Sequence, residues 1–318
     1  MLKTEWVEKI KKLKQEKQAV LLAHYYQRPE VQDVADFLGD SLQLSQAAAQ
    51  TDAKIIVFAG VHFMAETAKI LSPEKKVLIP DRNAGCSLAA SCEAGAFKKF
   101  IDEHPGHTVI SYVNTSAEVK ALTDICCTSS NALKIVQGLP KDEKIIFGPD
   151  KNLGNYIKSV TGRENMLVWN GACHVHEAFS VEQIIALKKK YPEAKMLAHP
   201  ECKKQVLLLA DYIGSTAALL AFSAQDECKK FIVATESGII HQMRKKSPNR
   251  EFIPAAPGSA PNNDGVEDSC GACNDCEFMK LTNLEKIYLS LLHERYEITI
   301  PEDVRKKAEK SILNMLHL

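Results

Sequence analysis

The chain has 318 residues, with 40 Lys and Arg against 40 Asp and Glu, and is 45% apolar and 25% charged. The balanced charge excludes a protein that holds nucleic acid through a broad basic surface, and the apolar content excludes intrinsic disorder. The length is about two domains' worth at ~150 residues each, and no apolar run approaches the ~20 residues of a membrane span.

Leu2, Trp6, Ile10 and Leu13 recur at helical spacing and predict an amphipathic helix at the start of the chain. Glu5, Glu8 and Glu16 in the same stretch, and the lack of a continuous apolar region, argue against an export or transit signal. The expected location is therefore cytoplasmic. In that reducing compartment the ten cysteines are not a disulfide framework. They are packing residues, metal ligands or redox groups.

From Val20 onward a pattern repeats three times. VLLAHYYQRPEVQDVADFLGDS ends at Ser41, TVISYVNTSAEVKALTDICCTS at Ser129, and KMLAHPECKKQVLLLADYIGS at Ser215. The interval from His24 to Tyr112 is 88 residues and from Tyr112 to His199 is 87. Each segment is followed by a second apolar strand and helix, beginning at Lys54, Lys144 and Lys230. A third strand then starts near Lys76, Asn165 and Arg250, and cysteines follow. Continuous apolar strands alternating with helical patterns predict parallel sheets built from βαβ units. The expected fold is α/β, with three pseudo-threefold-related αβα domains, each holding a small parallel sheet. The predicted boundaries are 1–86 with 277–318, 87–173, and 174–276.

Open α/β sheets bind ligands beyond the carboxyl ends of their strands. The first strands end in His24 and Tyr26, Tyr112 and Asn114, and His199 and Glu201. Ser41, Ser129, Ser215 and Thr216 each follow a polar turn and are expected at helix N-termini, where free N–H groups favour anions. His176 is expected to line the same pocket.

The cysteines closing each repeat are Cys86, Cys173 and the group Cys270, Cys273 and Cys276. Three thiolates are one short of structural zinc, and soft ligands also select Fe–S clusters. A [4Fe–4S] cluster on three cysteines keeps one open iron, which can act as a Lewis acid. The C-x-x-C-x-x-C run also allows one ligand beside a redox pair, Cys270 and Cys273. Two other readings are a zinc hydrolase using His174, His176 and His199, and a redox module in which Cys270, Cys273 and Cys276 alone hold metal.

Over essentially its whole length the chain resembles the quinolinate synthases. The resemblance rests on LAHYYQ, GDSL, NAGCSLA, SYVNTSAEVKA, CTSSNA, WNGACHVHE, AHPEC, YIGST and ATESG. It implies condensation of iminoaspartate with dihydroxyacetone phosphate to quinolinate, with release of phosphate and two waters, in NAD biosynthesis. It also implies a central [4Fe–4S] cluster held by Cys86, Cys173 and Cys276. Cys276 is chosen because a segment like Glu277-Phe-Met-Lys280 follows the family's ligand. His24, Ser41, Tyr112, Asn114, Ser129, His176, His199, Glu201, Ser215 and Thr216 are the expected substrate contacts. Tyr26, Tyr112, His199 and Glu201 are the expected catalytic residues. The partners implied are the two small substrates, with functional coupling to L-aspartate oxidase or aspartate dehydrogenase and neither nucleic acid nor membrane. Cys270 and Cys273 are expected to form a reversible disulfide.

Overall fold

The computed structural model describes residues 2–256 and 274–317. Cys270 and Cys273 lie outside the described residues, and so does their expected disulfide. Twelve strands form three parallel sheets of four strands each. The first contains β1 (Ala19–His24), β2 (Phe37–Gly39), β3 (Ile55–Ala59) and β4 (Lys76–Leu78). The second contains β5 (Thr108–Tyr112), β6 (Ile125–Cys127), β7 (Ile145–Gly148) and β8 (Met166–Val168). The third contains β9 (Lys195–Ala198), β10 (Tyr212–Ile213), β11 (Lys230–Ala234) and β12 (Glu251–Pro254).

All three sheets share one order: second strand, first, third, fourth. β1, β5 and β9 begin at Ala19, Thr108 and Lys195, the starts that the repeat predicts, and each lies inside its sheet. The architecture is α/β, with three small αβα units in one chain. Burial explains the apolar runs: every residue of β3 and β7 is buried, as parallel strands covered on both faces must be.

The repeat unit has one strand more than the sequence pattern predicts. The stretch read as an extended polar turn holds a single helical turn and then a short edge strand. The turns are Pro29–Gln32, Ala117–Lys120 and Lys204–Leu207, and the edges are β2, β6 and β10. Strands of two or three residues are too short to show a period.

Each edge is fixed by an aspartate that stands in for a strand neighbour. The amide of Leu21 donates to Asp36 Oδ2 at 2.7 Å, that of Val109 to Asp124 Oδ2 at 2.8 Å, and that of Met196 to Asp211 Oδ2 at 2.7 Å. The backbone N–H of each aspartate returns a bond to the carbonyl of the same residue at 2.8–3.0 Å. Their spacing is again 88 and 87 residues.

The N-terminal helix, Lys3–Lys17, buries Ile10 and packs Trp6 on Tyr288 of the helix Leu284–His293, with ring centroids 5.2 Å apart. The last helix, Glu302–His317, buries Ala308, Ile312 and Met315 in one core with Val20 and Ile56 of the first sheet and Ile110 and Phe147 of the second. Its Ser311 and Asn314 side chains donate to the carbonyls of Lys120 and Asp124, both at 2.9 Å. This helix, grouped with the first unit on sequence grounds, thus also fastens the second.

The aspartate ties are exposed enough to be tested without hollowing the core. Asp124→Ala is expected to lower the unfolding free energy by about 0.5–1.5 kcal/mol, the net worth of a protein hydrogen bond. Urea unfolding measures it. An unchanged midpoint would show that the tie contributes nothing.

Candidate active site

Strand register makes the three units comparable residue by residue. Ala23 pairs with Ala59, Ser111 with Gly148, and Ala198 with Ala234. The next residues, His24, Tyr112 and His199, are therefore equivalent. Two positions further stand Tyr26, Asn114 and Glu201. All six line one cavity. Ser41, Ser129, Thr216 and His176 line it too, as do Cys86, Cys173 and Cys276.

The cavity walls are joined by hydrogen bonds across the units. Tyr112 Oη donates to Glu201 Oε1 at 2.6 Å. Glu201 Oε2 lies 3.1 Å from His176 Nδ1, though off the line of a good hydrogen bond. His176 Nε2 meets Thr235 Oγ1 at 3.0 Å, and Thr235 Oγ1 meets Tyr26 Oη at 2.7 Å. Tyr26 Oη also meets Thr216 Oγ1 at 2.9 Å. The His176 and His199 rings stack, with centroids 4.8 Å apart. Asn114 Oδ1 is buried without a protein partner at the cavity wall.

The backbone sets two imidazole tautomers. The Tyr26 amide donates to His24 Nδ1 at 3.1 Å, and the Glu201 amide donates to His199 Nδ1 at 3.4 Å. Each Nδ1 is an acceptor, so the neutral ring carries its proton on Nε2. His199 Nε2 reaches Ser129 Oγ at 3.2 Å. Burial holds both rings neutral, with pKa values lowered to about 3. Burial alone would raise the carboxyl of Glu201. The neighbouring His176 and the hydrogen bond from the Tyr112 hydroxyl, joined by His199 only when that ring is charged, act against it and lower the pKa.

Each cysteine stands directly before a four-residue helix: Cys86 before Ser87–Ala90, Cys173 before His174–Glu177, and Cys276 before Glu277–Lys280. The amides of Ala89, His176 and Met279, three residues on, face the respective sulfurs. Each loop is also tied to the turn after its unit's third strand. The amides of His62, Lys151 and Ser237 bond the carbonyls of Ala84, Gly171 and Asn274, two residues before each cysteine. This repeated bond marks Cys276 as the third unit's equivalent of Cys86 and Cys173.

The donor chemistry suits a metal. Among the described residues, one set of three donors lies within 4.8 Å of one another: Cys173, His176 and Glu201. The three cysteine sulfurs do not form such a set. Two thiolates on one ion, at ~2.3 Å each, can be no more than about 4.6 Å apart. As placed, the three thiols do not all lie close enough to share one ion. Burial pushes the Cys86 thiol up to about 12 and the Cys276 thiol up to about 11, and raises Cys173 as well. Metal loading must displace those protons.

Some sequence expectations need correction. Ser215 is not at the cavity. Its Oγ accepts from the Ala218 amide at 3.3 Å, capping the helix Thr216–Gln225, and Thr216 holds the equivalent of Ser41 and Ser129 instead. Ser129 is not at a helix N-terminus, because its helix begins at Ala132. Ser41, as expected, is at a helix N-terminus, as the first residue after the cap Asp40. His174, exposed and bonded through Nδ1 to Ser87 Oγ at 2.6 Å, forms no ligand set with His176 and His199. The three-histidine zinc site is not assembled.

Sequence reading passed over several residues of the site. Asp40, Thr128 and Glu236 line the cavity, and Thr235 links two of its walls. Glu236 was visible as an acid two residues beyond a strand end, in the ATESG segment. Among the described lining residues there is no Lys or Arg.

The two neutral histidines make a pH prediction. Their folded pKa values lie below the unfolded value of 6.5, so the unfolded chain binds more protons between pH 6.5 and 3. Their contribution is full above pH 6.5 and is lost as the pH falls toward 3. Imidazole NMR signals of His24 and His199 should show no titration between pH 8 and about 4. A midpoint near 6.5 for either ring would refute this.

The fold and cavity define a three-unit α/β enzyme with a metal-capable cysteine, histidine and carboxylate site. Residues 8–317 match the family model described as Quinolinate synthetase A protein, and the chain belongs to that family. It is 56% identical over 311 residues to a quinolinate synthase of Chloroherpeton thalassium, covering 98% of this chain and 94% of that one. It is 57% identical over 307 residues to one from Synechocystis, covering 96% and 93%. With one from Thermosynechococcus vestitus the identity is 55% over 317 residues, covering 100% and 96%. Among the described residues no helix is long and apolar enough to cross a membrane.

Proposed function

We propose that this enzyme condenses iminoaspartate with dihydroxyacetone phosphate to quinolinate. One carbon–carbon and one carbon–nitrogen bond form, and phosphate and two waters leave. The atoms balance without an oxidant. The observation that carries the reading is the meeting of Cys86, Cys173 and Cys276 with the equivalent strand ends at one cavity. The similarity to quinolinate synthases supports it. By this reading the enzyme is cytoplasmic, and an aspartate-oxidising enzyme, L-aspartate oxidase or aspartate dehydrogenase, supplies the imine. The three units are its domains: 1–86 with 277–318, 87–173, and 174–276.

Cys86, Cys173 and Cys276 would hold a [4Fe–4S] cluster. When bound by three thiolates, such a cluster supplies a Lewis acid that assists loss of hydroxide. The chain's own groups do the rest. His24 and His199 offer neutral Nε2–H donors, and Ser41, Ser129 and Thr216 offer hydroxyls, to carboxylate and phosphate oxygens. Asn114 Oδ1 accepts from a substrate N–H or O–H. Glu201, kept ionised by its imidazole and phenol neighbours, takes protons from carbon during isomerisation and dehydration. Burial raises Tyr26 above the usual phenol range, so Tyr26 Oη keeps its proton and can deliver it to a leaving oxygen.

A second reading is a single metal ion on Cys173, His176 and Glu201. Anaerobic purification with metal and sulfide analysis separates the two. About four irons and four sulfides per chain are expected, whereas zinc without sulfide favours the single ion. Glu201→Gln should keep iron and ligand binding yet lose turnover, because it removes a proton acceptor. Turnover at the wild-type rate would remove Glu201 from that role. Ser129→Ala and Thr216→Ala should each weaken substrate binding by about 0.5–1.5 kcal/mol, and up to about 3 where the acceptor is charged. Calorimetric titration with a substrate analogue measures this, and unchanged affinity in both would make the hydroxyls structural.

A further inference from the structure

We propose that Asp150 and Glu236 are positioning residues that clasp the backbones of Cys173 and Cys276, and that Cys86 has no such clasp. The inference rests on reading these three cysteines as cluster ligands. By strand register Ala59, Gly148 and Ala234 are equivalent. Two residues beyond each stand Val61, Asp150 and Glu236.

Both carboxylates are buried, and both use their two oxygens as a bridge. Asp150 Oδ1 accepts from the Asn152 and Leu153 amides at 2.7 and 2.9 Å, which start the next helix. Its Oδ2 accepts from the Cys173 amide at 3.1 Å. Glu236 Oε2 accepts from the Gly238 amide at 2.8 Å, and its Oε1 from the Cys276 amide at 3.1 Å. Lys280 Nζ, 2.6 Å from Glu236 Oε1, donates to the Tyr26 carbonyl at 2.7 Å and ties this clasp to the first unit.

The first unit differs in kind. The Val61 side chain has no acceptor, and among the described residues no bond holds the Cys86 amide. The Cys86 loop keeps the backbone bond from His62 to Ala84, at 2.7 Å, common to all three units. Two thiols therefore sit on backbone whose own amide is held by a carboxylate, and the third on backbone whose amide is not. Cys86 is the corner that yields first when a cluster is inserted or lost.

The test compares Asp150→Asn, Glu236→Gln and Asp211→Asn with the wild-type holoenzyme. Each amide variant keeps one acceptor oxygen and turns the other into a donor. Asp211 ties an edge strand, so its variant controls for general loss of stability. Iron and sulfide per folded chain, and the EPR spectrum of the reduced cluster, are measured alongside circular dichroism. Asp150→Asn and Glu236→Gln should lose at least half their iron on gel filtration and shift the EPR signal. Asp211→Asn should do neither. Hydrogen exchange of the wild-type protein at single-residue resolution needs no variant. The Cys173 and Cys276 amides should exchange at least tenfold more slowly than that of Cys86. Folded carboxylate variants with wild-type iron and EPR, equal iron loss in Asp211→Asn, or a Cys86 amide as slow as the others would each overturn the proposal. A wild-type chain without iron and sulfide would overturn the cluster reading and this inference together.

Discussion

β1, β5 and β9 are covered on both faces, so the sheets can present polar groups to a ligand only beyond their carboxyl ends. The rest of the molecule follows from that constraint. A single unit offers two or three such side chains, too few to surround a small polar molecule. Three units pointing their strand ends at one place supply His24, Tyr112 and His199, and then Tyr26, Asn114 and Glu201. The aspartate ties at Leu21, Val109 and Met196 fix the short edge strand beside each of these first strands. A slip of one residue would turn each end residue to the opposite face.

Much of this was legible in the sequence because the repeat carries polar residues at matched intervals. The strand starts, the three parallel sheets and the strand-end residues all follow from the spacing of 88 and 87. Most of what escaped reading depends on contacts that no period records. β2, β6 and β10 are too short to have a pattern. Ser215 and Thr216 are adjacent hydroxyls, and only counting the interval from Ser129 shows which one faces the cavity. Asp150 and Glu236 look like a helix cap and a loop acid until the cysteine amides are placed against them. Thr235 is a small residue at a strand end, and its role as a link between Tyr26 and His176 exists only in three dimensions.

The described lining of the cavity has no cationic side chain. Cations stand one layer back instead. Lys280 is paired with Glu236, and the fully buried Lys120 donates to the Thr115 carbonyl near the buried Glu66. Each positive charge is matched by a carboxylate. Neutral N–H and O–H groups are left to meet the ligand. Such donors hold oxyanions in a dry site and still release a product that is itself a dianion, which a pair of arginines would hold too firmly.

Three identical copies of one unit would assemble a cavity with true threefold symmetry. Such a cavity would offer three equal sets of side chains, and a planar heterocycle with two adjacent carboxylates has no threefold axis to match it. Joining the units in one chain lifts that restriction. Each copy is free to place its own residue at a shared position: imidazole, phenol and imidazole at one level, phenol, amide and carboxylate at the next. The tandem arrangement is thus what lets a scaffold made by repetition hold a lopsided molecule in a single orientation.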